Sequence, residues 1–120
     1  MSELALIIED DEDLSEIFGQ ALSAAGYEIE IIRDGAIARD RLNQVVPVVV
    51  VLDMHLPHVP GNILYDQIRT DSRLENTRVV VATADPQMGE SLRGTADLVL
   101  IKPVIFSQLR DLTSRLHQQK

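Results

Sequence analysis

No cysteine occurs among the 120 residues, which excludes disulfides, thiolate nucleophiles and cysteine-ligated metals and fits a reducing compartment. Cationic residues are scarce too: 11 Lys and Arg stand against 19 Asp and Glu, a formal charge of −8. Neutralising nucleic-acid phosphates needs clustered cations, so no direct nucleic-acid binding is expected, and partners should be proteins, small ligands or cations. No apolar run approaches the roughly 18 residues of a membrane span. The opening MSELALIIEDDED is acidic where a secretory leader would be basic, so a cytoplasmic location without membrane insertion is expected. There is no sequence-wide repeat, and the length suits one core and not two. A single domain over residues 1–120 is therefore expected.

The apolar pattern that is present changes period repeatedly. Leu4 to Ile8 is a short continuous run, after which Leu14, Ile17, Phe18, Ala21, Leu22 and Ala25 recur at helical spacing until Gly26. Tyr27, Ile29 and Ile31 alternate with Glu28 and Glu30 as in a half-exposed strand, and Asp34-Gly35 opens a second helix carrying Ala38 and Leu42. Val48 to Leu52 reads as a third strand, and Gly61 opens a third helix with Leu64 and Ile68 inward. A polar link around Asp71 to Asn76 leads to a fourth strand, Val79 to Thr83, and a short helix near Met88 to Leu92. Leu98 to Ile101 is the fifth strand, before a final helix carrying Ile105, Leu109, Leu112 and Leu116. Successive βα units imply an α/β domain with a parallel sheet and helices on both faces. The first, third and fourth strands are continuously apolar and suit the sheet interior; the second, with its glutamates, suits an edge. This is compatible with the flavodoxin-like order 2-1-3-4-5.

Ligands of open parallel sheets sit at the carboxyl ends of the strands, near the point where strand order reverses. Glu9 and Asp10 follow the first strand, Asp53 ends the third, Thr83 ends the fourth, and Lys102-Pro103 follows the fifth. All converge on one rim. Crowded carboxylates repel one another and raise each other's pKa, a conflict that a divalent cation resolves. Two or three hard oxygen donors, with places left for water and a phosphate oxygen, suit Mg²⁺ (or Mn²⁺) better than a calcium cage or a histidine-rich zinc site.

EDDED after the first strand, VLDMHLPHVPG around the third, the ATA triplet and the IKP triplet, in this order, resemble the receiver domain of two-component response regulators over nearly the whole chain. The resemblance implies a flavodoxin-like, five-stranded sheet with five helices, the fourth short. It implies that Asp53 accepts a phosphoryl group from a histidine kinase or phosphotransfer protein. Glu9, Asp10, Asp53 and the backbone carbonyl of His55 would hold Mg²⁺. Thr83 would hydrogen-bond a phosphoryl oxygen, Lys102 would form an ion pair with it, and the Lys102-Pro103 bond is a candidate for the cis form. The domain would be a signalling switch that promotes its own phosphorylation and dephosphorylation, not an enzyme, and would act through a downstream protein target. His55 and Asp85 occupy positions whose side chains influence hydrolysis of the aspartyl phosphate in this family.

Taken singly, these residues have simpler readings. Glu12 and Asp13 suit a helix N-terminus, Asp11 could serve the site or the helix, and His55, His58 and His117 lack ligand spacing and should face solvent. Two departures from the family pattern stand out: Val99 replaces the usual aromatic three positions before the lysine, and the stretch from Thr83 to Lys102 is about one helical turn short. Position 104, often Phe, is Val. These changes argue for a protein contact other than the dimer of transcriptional regulators. They also favour, mildly, a pseudo-receiver that binds partners without phosphorylation. A small Mg²⁺-dependent phosphohydrolase would share the aspartate nucleophile but lacks a DxD arrangement, since position 55 is His. A nucleotide-binding protein of this fold would need a Gly-rich loop after the first strand, and none is there. The sequence as read carries no expected output region after the last helix, which would suit a stand-alone regulator or the receiver part of a longer protein equally.

Overall fold

The structure, a computed structural model, describes residues 3–104, 107 and 109–111. It contains β1 (Glu3–Ile8), α1 (Glu12–Ala24), β2 (Tyr27–Ile32), α2 (Gly35–Leu42) and β3 (Val49–Asp53). There follow α3 (Gly61–Thr70), a 3₁₀ turn (Ser72–Leu74), β4 (Arg78–Thr83), α4 (Pro86–Leu92) and β5 (Leu98–Ile101). Residues 107 and 109–111 are helical and belong to the fifth helix; Ile105, Leu112, Leu116 and His117 lie outside the described residues. The strands form one parallel sheet in the order β2-β1-β3-β4-β5. Among the described residues no helix is long and apolar enough to cross a membrane.

The period-2 geometry of the strands divides the core in two. Leu6, Ile8, Val50, Leu52, Val79 and Val81 face the layer that holds Leu42, Leu64 and Ile68. Their neighbours Ala5, Ile7, Val49, Val51, Val80 and Ala82 face Phe18, Leu22 and Leu109 on the other side. Both faces of β1, β3 and β4 are thus covered, which is why these strands read as unbroken aliphatic runs. β2 lies at the edge, and Glu30 on it is held by Arg41 of α2 at 2.8 Å.

Local chemistry sets the helix ends. Asp11 proves to be the cap of α1, its Oδ1 accepting from the Leu14 amide at 2.9 Å, with Glu12 and Asp13 in the favourable first turn. Asp34 caps α2, and Asp85 caps α4 with Pro86 at the first helical position. α3 has no side-chain cap and starts instead from a backbone contact described below.

The segment after α3 departs from the polar link expected of it. Leu74, in the 3₁₀ turn, is fully buried in the layer with Leu42 and Ile68. One apolar residue among polar neighbours carries no periodicity, so nothing in the local sequence marks it as core. Leu74→Ala should cost about 2–5 kcal/mol in urea unfolding, whereas exposed Glu75→Ala should be close to neutral.

Candidate functional site

β1 and β3 are adjacent central strands with Ile8 opposite Leu52, so the residues that leave their carboxyl ends emerge side by side. Glu9, Asp10 and Asp53 each offer a carboxylate oxygen within 4.8 Å of the others. Glu9 and Asp53 are 1% and 2% exposed, while Asp10 opens to solvent. From β5, the Lys102 ammonium reaches Glu9 Oε1 at 2.9 Å and Asp53 Oδ1 at 3.5 Å. Its backbone amide donates to the Thr83 carbonyl at 2.8 Å, and the Lys102-Pro103 bond is cis. Thr83 is fully buried at the same rim, one residue beyond the Asp53–Ala82 pairing, and its hydroxyl accepts from the Asp85 amide at 3.0 Å.

The loop after Asp53 is held by two close backbone approaches. A Cβ on Gly61 would lie 2.4 Å from the Asp53 carbonyl oxygen, and a Cβ on Gly35 would lie 2.1 Å from that of Val59. With hydrogen alone at these positions, Gly61 N donates to Met54 O at 3.2 Å and Gly35 N to Pro57 O at 3.1 Å. The His55 amide donates to Asp53 Oδ1 at 3.1 Å, which aims the carboxylate, while the His55 side chain stays exposed. His58 is solvent-facing as expected, but it also pairs through Nδ1 with Asp34, the α2 cap, from a backbone φ of 70°. Residues 24 apart in sequence meet here, and no spacing rule points to the pair.

Burial penalises charge in this pocket. It pushes the Glu9 carboxyl up from 4.5 to about 7, with Asp53 adding to the rise and Lys102 opposing it. Asp10 is raised by burial and by Asp53. For Lys102, burial acts to lower the pKa, but the hydrogen bond to Glu9 and the charges of Glu9 and Asp53 outweigh it and hold the group above its ordinary value. Among the described residues the protein therefore presents a hard-oxygen cluster with excess negative charge and one half-buried counter-ion. That donor set fits a small divalent cation such as Mg²⁺ or Mn²⁺.

A doubly wound sheet in this order with carboxylates at its switch point defines a CheY-like domain of the flavodoxin-like class. The family model for the response regulator receiver domain matches residues 5–114. The chain belongs to that family, whose members are signalling modules of two-component systems and not conventional enzymes. It is 33% identical over 106 residues to the phosphate regulon transcriptional regulatory protein PhoB of Rhizobium meliloti (strain 1021), covering 86% of this chain. It spans about half the length of that relative, 47%. The bacteriophytochrome response regulator RtBRR superposes with a TM-score of 0.82 at 28% identity, over 95% of this chain and 78% of that one. The Mn²⁺-bound form of the response regulator Rcp1 shares the fold, with a TM-score of 0.79 at 23% identity over 97% and 92% of the two chains.

The structure also shows what stands beside Val99. At Gly89, α4 comes so close that a Cβ there would lie 2.5 Å from Ile101 Cδ1, 3.2 Å from Val99 Cγ1 and 3.6 Å from Thr83 Cγ2. Where the family pattern has an aromatic on β5, this chain brings a helix backbone down onto small and branched side chains.

Glu9 gives a test of the electrostatics. Its folded-state pKa of about 7 lies above the ordinary 4.5, so its contribution to stability is full below about 4.5 and is lost as pH rises through about 7. Asp10 acts in the same sense, and Lys102 titrates above this window. Urea unfolding of cation-free protein should therefore show stability falling by a few kcal/mol from about pH 5 to about pH 8, with Glu9→Gln flattening the slope.

Proposed function

We propose that Asp53 is the phosphoacceptor of a two-component receiver, charged by a histidine kinase or phosphotransfer protein in a reaction that requires Mg²⁺ or Mn²⁺. The observation that carries this reading is the packing of Asp53 with Glu9 and Asp10 within 4.8 Å, under Lys102 at 3.5 Å. Glu9, Asp10, Asp53 and the His55 carbonyl would hold the cation, which when bound offsets charge on the transferring oxygens. The Mn²⁺ in the Rcp1 structure supports such a cation here.

The protein's own groups account for the remaining steps. An Asp53 oxygen attacks phosphorus in line as the phosphorus–nitrogen bond of a phosphohistidine protonated on its other ring nitrogen breaks, and the bonding pair leaves on a neutral imidazole. Buried at the end of β3 and aimed by the His55 amide, Asp53 loses little freedom on attack. Lys102 already touches Asp53 and would pair with a phosphoryl oxygen as it arrives. The Thr83 hydroxyl accepts from the Asp85 amide and keeps its own proton to donate to a second phosphoryl oxygen. Because Asp85 caps α4, this bond links the phosphoryl site to that helix and gives a route to a downstream protein target.

Intact-mass spectrometry after incubation with acetyl phosphate should show one acyl-phosphate-labile phosphoryl adduct that depends on Mg²⁺. Asp53→Asn should abolish it, and Lys102→Ala should slow its formation roughly 10²-fold. No adduct on folded protein would assign the chain to constitutive binding instead. Repeated turnover of a phosphomonoester would assign it to phosphohydrolysis.

A further inference from the structure

The acidic loop between β1 and α1, and the first turn of α1 that follows it, are held by consecutive residues, Ile32 at the end of the edge strand β2 and Arg33 just after it. At its start, the Glu9 amide donates to the Ile32 carbonyl at 3.0 Å. Past its end, in the first turn of α1, Arg33 places Nε and Nη2 on the Ser15 hydroxyl oxygen at 3.2 and 3.1 Å, and that hydroxyl donates to the Glu12 carbonyl at 2.8 Å. Ser15 is fully buried. Its one proton goes to Glu12 and its lone pairs take the two guanidinium donors, so the hydroxyl is saturated. Asp10 lies between these anchor points, exposed, on the short stretch that joins Glu9 to the α1 cap.

We propose that Arg33, acting through Ser15, is a positioning residue for the cation site: it sets where Asp10 stands relative to Glu9 and Asp53. The proposal rests on the cation reading of these three carboxylates given above. Lysine cannot replace the arginine, because the contact needs two donors from one planar fork converging on one oxygen. The electrostatic consequence of a cation at residue 33 has the opposite sign to the positional one. A positive charge near the site repels Mn²⁺, so its removal by charge alone would tighten binding. Loss of the positional role loosens it.

Free Mn²⁺ measured by electron paramagnetic resonance during titration of the full chain separates the two. Arg33→Ala and Ser15→Ala should each raise the Kd for Mn²⁺ roughly ten-fold, the scale of lost supporting bonds around a metal site. Arg33→Lys, which keeps the charge, should weaken binding as well. The double variant should be no weaker than either single one, since both break the same link. Saturating Mn²⁺ should restore much of the acetyl phosphate modification rate that Ser15→Ala loses at low Mn²⁺, a recovery that general damage to the fold would not give. Unchanged or tighter Mn²⁺ binding in Arg33→Ala and Ser15→Ala overturns the proposal while leaving the cation reading intact. So does a rate deficit that saturating Mn²⁺ does not lessen. A wild-type chain that binds no Mn²⁺ overturns the cation reading itself, and the positional role with it.

Discussion

Two nearly buried carboxylates, Glu9 and Asp53, share a single ammonium, Lys102, at 2.9 and 3.5 Å. Taking two acids out of water is costly, and one lysine offsets only part of the cost. The residual excess raises Glu9 to about 7 and makes the pocket a receptor for a further positive charge. The rest of the structure holds this arrangement in place. An unpaired acid could lower its energy by swinging out to solvent, and the strands do not allow that: Asp53 ends an aliphatic strand buried along its length, and Glu9 extends another.

Holding an unfavourable cluster together takes rigid support, which comes from close backbone contacts and from one side-chain link, Arg33 to Ser15. Gly61 and Gly35 let two helix starts close on the loop after Asp53, and Ile32 and Arg33 hold the loop after β1. The contacts between α4 and β5 have the same character. Gly89 admits the helix backbone to the surface formed by Thr83, Val99 and Ile101. A movement of Thr83 or Asp85 would therefore be felt by α4 directly, without a swinging ring between them.

Much of the fold was legible because its signals are local. Aliphatic runs mark β1, β3 and β4, alternating glutamates mark β2 as an edge, and the Asp34-Gly35 pair marks the start of α2, whereas α4 begins at Pro86, before the expected Met88. The candidate residues were legible for a related reason. In a parallel α/β sheet every strand's carboxyl end reaches the same rim, so Glu9, Asp10, Asp53, Thr83 and Lys102 could be gathered from their places after the strands alone. Leu74 was not legible, since a lone apolar residue in a polar stretch has no period to betray it.

The sequence by itself determined the order of elements and the rim at which the candidate polar residues collect, because periodicity and the chirality of βα units follow from residues close in the chain. Tertiary structure alone decided what those residues do to one another. Whether Lys102 lies nearer Glu9 or Asp53, how far Glu9 is desolvated, that His58 meets Asp34 and that Arg33 reaches Ser15 all depend on distances between segments far apart in sequence. Coulomb energies and hydrogen bonds change steeply over an ångström, and no pattern of residue types specifies a separation that finely.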